Sequence, residues 1–399
     1  MRILLLSFYH PPDLSAGSFR MAALVAALNR RLPPGGQIDV MTTLPNRYAS
    51  YVAEAPRLES ASAVTIHRIP LPPHRSGIVD QSRSFMAYAS AVLAKVRGQK
   101  YDIVVATSSR LMTAALAAGI SRLKGVPLYL DVRDIFIDTI GDLFPGWISA
   151  LSICPFSLLE RFTFNRASTI NLVSPGFEPY FRSRYPKARL SFHTNGIDEE
   201  FESLRLPEPK RDQPRTTVLY AGNIGEGQGL HRILPQLAWE LREKVRFRIL
   251  GDGGRIDQLR QSLKVAGVDN VELAPPVPRA ELIGEYANAD VLFLHLNDVE
   301  AFKKVLPSKL FEYGATGRPI WAGMTGYAAQ FAVSEIGNAA IFDPCDIQGA
   351  VAAFGKLSLA NTDRAEFVRK YARAAIMARM ADDIVYLAEQ PNDAADMCS

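Results

Sequence analysis

The stretch "TTVLYAGNIGEGQGL" (216–230) contains the pattern that decides the fold. An apolar run at 217–221 ends in four glycines within eight residues, and a helix-like stretch follows. The next apolar run, 247–250, ends in a second glycine-rich turn, "GDGG" (251–254). Apolar strands that alternate with amphipathic helices are typical of parallel sheets covered on both faces.

The same alternation continues in both directions along the chain. Further apolar runs lie at 2–7, 38–42, 65–70, 103–107, 128–132, 170–173, 271–273, 291–294, 320–322 and 340–342. The segment "LRLPEPKRDQPRTT" (204–217) is rich in proline and charge, which is typical of a linker. We predict the α/β class, with two doubly wound parallel-sheet (Rossmann-like) domains facing across a cleft. The predicted parts are a first domain at 1–195, a linker at 196–216, a second domain at 217–365, and a C-terminal helix and tail at 366–399 that pack back towards the first domain.

Charge is distributed unevenly over the 399 residues. Lys and Arg outnumber Asp and Glu by ten in residues 1–190 and are outnumbered by six in 191–399. A basic half indicates an anionic partner, such as nucleic acid, anionic lipid or a phosphorylated substrate, although an uneven solvated surface is the alternative. Aromatic residues are not interleaved with the basic ones as nucleic-acid stacking would need, so we expect no nucleic acid. The three widely spaced cysteines form neither a disulfide framework nor a zinc pattern.

Glycines and polar residues follow several of the predicted strands. In an open α/β sheet, ligands bind beyond the carboxyl ends of the strands, and glycine lets the backbone approach a ligand closely. The candidates after the first strand of each half and after the strand at 247–250 are Gly17, Ser18, Gly222, Gly225 and Gly251. For Gly17 and Ser18, a simple strand-to-helix turn is an equally good interpretation.

The segment "LPSKLFEYGATGRPI" (306–320) predicts a short helix over 308–316. Ser308 and Lys309 lie at its N-terminus, where unpaired N–H groups and the helix dipole favour an anion. Glu312 lies about 5.4 Å deeper, one turn along the same face. This separation suits a diphosphate at the helix tip and a ribose diol at the carboxylate. The alternative is that Glu312 merely favours the dipole of its own helix.

Five segments in this order and at this spacing carry a resemblance to a known family. They are "FHTNGIDEEF" (192–201), "YAGNIGEGQGL" (220–230), "RILGDGG" (248–254), "YANADVLFLHL" (286–296) and the helix segment at 306–320. Together they resemble the retaining glycosyltransferases of the GT-B fold, of the glycosyltransferase family 4 type that builds bacterial O-antigen, capsule or exopolysaccharide.

The resemblance implies a nucleotide-sugar donor, with UDP favoured, and a polyprenyl-diphosphate-linked sugar as acceptor. It implies that Glu312 binds the ribose, that Ser308 and Lys309 face the diphosphate, and that Gly17 lies under the donor phosphates. Gly222 and Gly225 would close on the donor from the other side. Such enzymes usually need no metal, and the sequence has no metal-ligand cluster, so we expect no cofactor.

Three departures from the family pattern bear on the site. Lys304 stands where many members have a first glutamate that faces the sugar hydroxyls. Asn223 and Gln228 stand where many members have the Arg and Lys that hold the donor diphosphate, so the resemblance implies donor contacts for these two residues. The segment "LYLDVRDIFID" (128–138) lacks the histidine that many members have there. We hypothesise that Lys304 or Lys309 replaces the lost cations and that Glu300 contacts the sugar.

On the acceptor side, we predict catalytic roles for Asp131, Arg133 and Asp134. Asp131 or Asp134 would orient the acceptor or take its proton, and Arg133 would pair with a phosphate. The uncharged stretch "LFPGWISALSICPFSLL" (143–159) is interpreted either as a helix buried between domains or as a patch that touches a bilayer. The family implies a cytoplasmic protein held peripherally on the anionic inner face of the membrane.

Two other functions remain open from the sequence. A UDP-sugar 2-epimerase would use the same fold without an acceptor. A non-catalytic partner would bind sugar nucleotide within a glycan assembly complex. The oligomeric state is not indicated by the sequence.

Overall fold

The computed structural model describes residues 1–13, 15–46, 54–72, 78–108, 110–135, 146–208 and 214–390, and within these the side chains of 78, 79 and 146–154 are left out. The chain divides into two compact units. The first comprises Met1–Asn195 with Arg373–Ser399, and the second comprises Gly196–Ala372. Residues 196–216, predicted as a linker, are counted within the second unit.

The first unit is built on a sheet that has eight strands among the described residues. These are β1 (Arg2–Leu6), β2 (Gln37–Thr43), β3 (Leu58–Ala61), β4 (Val64–Ile69), β5 (Ile103–Thr107), β6 (Leu128–Val132), β7 (Thr169–Leu172) and β8 (Arg189–Ser191). Their order is β3-β4-β2-β1-β5-β6-β7-β8. Only the β3–β4 pair is antiparallel among the described pairings. The central strands are apolar because both of their faces are covered, and residues 3–6 of β1 are fully buried.

Helices cover both faces of this first sheet. They are α1 (Ala16–Asn29), α2 (Ile78–Val96), α3 (Leu111–Lys124), α4 (Gly146–Arg166), α5 (Glu178–Arg184) and, from the end of the chain, α14 (Arg373–Glu389). The strands are added on one side of β1 as far as β4 and on its other side from β5 onwards. Because β–α–β crossovers are right-handed, this reversal of the strand order places α1 on one face and α2, α3 and α4 on the other. Helix α14 packs on α1, and α3 packs between α2 and α4.

The second unit contains a fully parallel sheet ordered β11-β10-β9-β12-β13-β14. The strands are β9 (Thr216–Ala221), β10 (Val245–Leu250), β11 (Val271–Ala274), β12 (Val291–His295), β13 (Ile320–Gly323) and β14 (Ala339–Phe342). The helices are α6 (Glu199–Glu202), α7 (Leu230–Glu240), α8 (Ile256–Ala266), α9 (Arg279–Asn288), α10 (Ser308–Thr316), α11 (Gly326–Glu335), α12 (Ile347–Phe354) and α13 (Ala365–Lys370). Two apolar clusters, one on each face of the sheet, form its core.

The α/β class with two doubly wound sheets is confirmed, and so is the short helix predicted at 308–316. The predicted strands are all present, while β3 and β8 were not predicted. Within the described part of the chain, no helix is long and apolar enough to cross a bilayer.

Candidate functional site

The second unit brings the predicted donor-site residues to one edge of its sheet. Parallel strands end at the same edge, so the loops after β9, β10 and β12 lie side by side there. Helix α10 begins at this edge because it connects β12 to β13. The predicted placement of Gly222, Gly251, Ser308 and Glu312 at one edge therefore follows from the strand order, while their roles stay a prediction.

Glu312 lies in a cluster of polar groups on α10. The Tyr286 hydroxyl donates a short hydrogen bond to Glu312 Oε1. The Lys309 ammonium lies 3.1 Å from Glu312 Oε2 and 3.4 Å from the Tyr286 hydroxyl. The Glu312 side chain is only 15% exposed. A carboxylate that is largely desolvated and still charged needs such partners, so Tyr286 and Lys309 fix its orientation.

The environment holds Glu312 in its ionised form. Burial by itself would raise the pKa of Glu312, but the charge of Lys309 and the hydrogen bond from Tyr286 outweigh burial and lower this pKa below its usual value. Burial, followed by the charge of Glu312, raises the pKa of Tyr286 well above its usual value. The tyrosine therefore stays a hydrogen-bond donor and the glutamate an acceptor.

Apolar packing positions helix α10 against the sheet. Leu310 and Phe311 are fully buried. The Tyr313 hydroxyl accepts a hydrogen bond of 3.1 Å from the backbone N–H of Ala221, the last residue of β9. Gly317 ends the helix with φ +75°, a left-handed conformation that glycine adopts without strain. These contacts fix the position of helix α10 relative to the carboxyl end of β9.

The loop after β9 is closed by its own side chains. The amide of Asn223 donates to Gln228 Oε1 at 2.8 Å, and the backbone N–H of Gly225 donates to the same oxygen at 3.2 Å. A Cβ atom at Gly251 would overlap the carbonyl oxygen of Gly222, so the two glycine turns are in close backbone contact. Asn223 and Gln228, predicted as direct donor contacts, therefore also shape the loop itself.

His295, at the end of β12, is a site residue that the sequence did not reveal. Its Nδ1 lies 2.7 Å from the carbonyl oxygen of Gln228, and its Nε2 accepts a 3.0 Å hydrogen bond from the backbone N–H of Cys345. These partners fix the tautomer with the proton on Nδ1. Burial lowers the pKa of His295 to about 4, so the imidazole is neutral near pH 7. Asn297, two residues later, donates to the carbonyl oxygen of Glu226 at 3.0 Å and secures the same loop.

Lys304 and Glu300 lie in a short 3₁₀ helix before α10. Lys304 is half-buried, whereas Glu300 is exposed and pairs with Lys303 at 2.6 Å. Lys309 is already paired with Glu312. The hypotheses that Lys304 or Lys309 supplies the missing cation, and that Glu300 contacts a sugar, stay predictions.

In the first unit, Arg133 lies over the start of α1. A Cβ atom on Gly17 would stand 3.4 Å from Arg133 Nη1. The next residue, Ser18, is fully buried, and its hydroxyl has no hydrogen-bond partner among the described residues. The backbone N–H of Arg133 donates to Ser108 Oγ at 3.2 Å. A guanidinium at a helix N-terminus is an arrangement that favours an anion.

Asp131 is buried inside the first unit. Both of its carboxylate oxygens accept hydrogen bonds of 2.8 Å from Arg20, and the Asn171 amide donates to Oδ1 at 2.7 Å. Both charged side chains have no exposed surface. This geometry favours a structural role for Asp131 over the predicted catalytic one. Asp134, three residues later, is exposed and reachable by a ligand, and its catalytic role stays a prediction.

Among the described residues, no group of three or more His, Cys, Asp or Glu side chains is placed to hold a metal ion.

Two family models match the chain in succession. Residues 17–196 match the glycosyl transferase 4-like domain, and residues 203–375 match the glycosyl transferases group 1 domain. The two matches together span nearly the whole described chain.

Two curated relatives and one solved structure are also similar to this chain. The chain is 23% identical over 253 residues to a probable glycosyltransferase, WbjE, of Pseudomonas aeruginosa, a match that covers 60% of this chain and 62% of that protein. It is 31% identical over 122 residues to the putative colanic acid biosynthesis glycosyl transferase WcaI of Escherichia coli K12, covering 30% of this chain and 28% of that protein. The crystal structure of Anabaena HepE in complex with UDP and glucose aligns with a TM-score of 0.67 at 16% identity, covering 97% of this chain and 100% of that one. Each sequence match thus spans less than two thirds of the curated relative's length. At 16% identity, the similarity to the HepE structure shows the fold alone.

Proposed function

The chain belongs to the glycosyltransferases of the GT-B fold, and on this premise we propose that it transfers a sugar from a nucleotide diphosphate-sugar to a lipid-linked saccharide in bacterial surface polysaccharide biosynthesis. UDP is the favoured nucleotide, which agrees with the UDP complex of the HepE structure. The acceptor in this proposal is a polyprenyl-diphosphate-linked sugar, and the name of WcaI, a putative colanic acid biosynthesis glycosyl transferase, supports the polysaccharide context.

The observation that carries this proposal is the charged cluster at the start of α10. Glu312 is ionised, desolvated and held by Tyr286, which leaves carboxylate lone pairs to accept from a ribose diol. Ser308 and Lys309 stand one turn nearer the helix N-terminus, where the dipole favours a diphosphate. When the diol engages Glu312, Lys309 is released to pair with a phosphate oxygen.

The proposed reaction retains the anomeric configuration. The acceptor hydroxyl attacks the anomeric carbon from the face that the diphosphate leaves, a C–O bond to the acceptor forms, and the C–O bond to the diphosphate breaks. The hydroxyl proton passes to the departing phosphate or to Asp134, and the nucleoside diphosphate carries the electron pair away. Stabilising that leaving charge is the main catalytic task, and helix N-termini and cations perform it without a metal in this proposal.

Nucleotide binding provides the direct test. We would measure the unfolding temperature with UDP, GDP, CDP and dTDP for the wild type, Glu312→Ala and Glu243→Ala. Glu243 is an exposed control, because it precedes β10 at the opposite end of that strand. A nucleotide at a hundred times its dissociation constant adds roughly 2.7 kcal/mol of stability.

We expect one nucleotide to raise the unfolding temperature of the wild type and of Glu243→Ala but not of Glu312→Ala. If Glu312→Ala responds to the nucleotide as the wild type does, the donor site is not at α10. If no nucleotide shifts any of the three proteins, the chain does not bind these nucleotides and the proposed function fails. Conversion of a UDP-sugar without an acceptor would instead identify an epimerase.

A further inference from the structure

Helices α7 and α8 of the second unit form an open groove at the protein surface. The two helices pack against each other, and the groove between them has a volume of about 620 Å³. Pockets that bind small molecules usually have volumes of about 300–1,000 Å³. The groove is lined by Pro235, Gln236, Trp239 and Glu240 from α7 and by Gln261, Ser262, Val265 and Ala266 from α8.

Helical spacing brings these eight lining residues together. Each helix contributes two pairs of residues that are four apart, and residues four apart lie on one face of an α-helix. Pro235, Ser262 and Ala266 are half-buried, whereas the other five side chains are exposed. The groove therefore follows from the regular packing of two helices and does not depend on a loop.

Trp239 and Val265 give the groove an exposed apolar surface. Their side chains are 48% and 78% exposed, respectively. Among the described residues of the second unit, these two and Val333 are the only large apolar side chains with such exposure. Apolar side chains that are exposed together in one depression are typical of an interaction site.

Arg242 holds the indole of Trp239 in place. Its guanidinium carbon lies 4.6 Å from the centroid of the indole ring, and its Nη1 donates a hydrogen bond of 3.0 Å to the Trp239 carbonyl oxygen. An aromatic ring that a cation already fixes loses little freedom when a ligand binds. The indole N–H has no acceptor in the part of the chain that the structure describes, so it is available to a ligand.

Polar side chains border this apolar surface. Gln236, Glu240 and Gln261 are exposed, and none of them has a side-chain hydrogen bond or an ion pair within the described ranges. Ser262 Oγ donates to the carbonyl oxygen of Gln258 at 2.9 Å and keeps its lone pairs as acceptors. Because an amide both donates and accepts, the groove offers donors and acceptors next to an aromatic ring.

We propose that this groove binds a neutral saccharide as a short run of pyranose rings. A pyranose ring has a face of C–H groups that packs on an aromatic ring and a rim of hydroxyl groups that exchange hydrogen bonds with amides and carboxylates. The one charged side chain in the lining is the carboxylate of Glu240, which disfavours phosphates and other anions. Eight lining residues are also too few for a stable protein interface, which uses about 20–30 residues on each side.

The groove is separate from the proposed donor site. Helix α7 begins after β9, close to the glycine turn of that site, and Trp239 lies about 13 Å further along the helix than Leu230. The end of α7 leads into β10, so Trp239 and Glu240 lie towards the opposite edge of the sheet. Binding of a saccharide there requires neither a nucleotide nor sugar transfer, so the inference goes beyond the proposed function.

Fluorine NMR of the full chain labelled with fluorotryptophan tests the groove. The chain has three tryptophans, and Trp239→Phe assigns the resonance of Trp239. The probes are cellohexaose, maltohexaose and mannohexaose, each added up to tens of millimolar, and choline is added separately as a cation. One variant, Gln236→Ala with Gln261→Ala, removes the amides, and a second, Val265→Ser, removes apolar contact. The matched control is Val333→Ser, which changes another exposed valine of the second unit.

We expect at least one hexaose to shift the Trp239 resonance in a saturable way, and we expect choline to leave it unchanged. The amide variant should bind that hexaose roughly tenfold more weakly than the wild type. Val265→Ser should bind it roughly threefold more weakly, and Val333→Ser should bind it as the wild type does. The two groove variants remove different contacts, so a folding defect in one leaves the other informative.

Three results would overturn the proposal: a Trp239 resonance that no hexaose shifts, a shift that both groove variants retain at wild-type affinity, or a shift produced by choline and by no hexaose. A resonance that changes only with protein concentration would indicate contact between copies of the chain and would overturn it as well. The measurement uses neither nucleotide nor lipid-linked acceptor. Saccharide binding without a nucleotide response would keep this groove and remove the proposed function, and the reverse result would do the opposite.

Discussion

Replacing Asp131 by alanine separates a structural role from a catalytic one. In the native structure, Asp131 and Arg20 form a doubly hydrogen-bonded ion pair with no exposed surface. The alanine variant leaves the Arg20 guanidinium buried without its counter-charge and leaves the Asn171 amide without one acceptor. We therefore expect the change to act on the stability of the first unit.

The size of the effect follows from these contacts. Breaking a buried ion pair by removing one partner costs about 3–5 kcal/mol, because the remaining charge stays desolvated. For a unit of this size, each kcal/mol lowers the unfolding temperature by about 2–4 °C. Asp131→Ala should therefore unfold at a temperature roughly 6–20 °C lower than the wild type. Arg20→Met combined with Asp131→Leu removes both charges and should recover part of this loss.

Differential scanning calorimetry would measure the transition of the first unit. Asp134→Ala is the matched control, since Asp134 is an exposed aspartate on the same strand end, and its unfolding temperature should stay near that of the wild type. An Asp131→Ala protein that unfolds at the wild-type temperature but has lost transfer activity would refute the structural argument. It would restore the catalytic role that the sequence predicted.

Three further predictions concern the second unit and the buried histidines. Tyr286→Phe removes a hydrogen bond to the ionised Glu312, so UDP should bind roughly tenfold more weakly by titration calorimetry; an unchanged affinity would show that the tyrosine does not orient the carboxylate. His295→Asn keeps a donor near the Nδ1 position towards the Gln228 carbonyl, whereas His295→Gln does not. Hydrogen exchange of the 225–229 amides should therefore speed up only in the glutamine variant. Equal exchange in the two variants would show that the hydrogen bond from His295 to Gln228 does not stabilise this loop. His295 and His10 each have a pKa lowered to about 4 in the folded protein. Between pH 6.5 and 4 the unfolded state therefore binds more protons than the folded state, and the free energy of unfolding should fall as the pH falls through this window. The loss should reach on the order of 3 kcal/mol per histidine at about pH 4. Urea denaturation should show a weaker pH dependence in His295→Asn, and an unchanged slope would exclude the histidine as its source.

The fold was largely predictable because its signal is local. Continuous apolar runs, glycine turns and a proline–glycine pair around 308–316 each act within a few residues, and they predicted the strands and α10 correctly. Strand β3 was missed because all four of its residues are exposed and carry no apolar pattern. It exists through pairing with β4, which is a tertiary contact.

The polar contacts of the site were not predictable because their partners lie far apart in the sequence. Glu312 depends on Tyr286, 26 residues earlier, and Asp131 depends on Arg20, 111 residues earlier. The sequence did contain one usable signal: Arg20 lies in the otherwise apolar helix segment "FRMAALVAAL" (19–28), and a buried arginine requires a carboxylate partner. A strand-end aspartate is the natural partner, and that inference would have moved Asp131 from the catalytic to the structural residues.

We call the sheet edge of the second unit where we propose that the donor binds the donor edge. Three of the groups that hold it do not change charge near neutral pH. His295 is neutral above about pH 4, Tyr286 is protonated because burial raises its pKa, and Glu312 is ionised because Lys309 and Tyr286 outweigh its burial. The loop and the carboxylate therefore keep one hydrogen-bond pattern from mildly acidic to mildly basic conditions. Nucleotide affinity should accordingly stay flat between about pH 5.5 and 8.5 apart from ionisation of the nucleotide itself. If turnover has a bell-shaped pH dependence while nucleotide affinity does not change with pH, the titrating groups are those of the acceptor, its phosphates or a base such as Asp134. If nucleotide affinity shows the same bell-shaped pH dependence as turnover, a group at the donor edge must titrate.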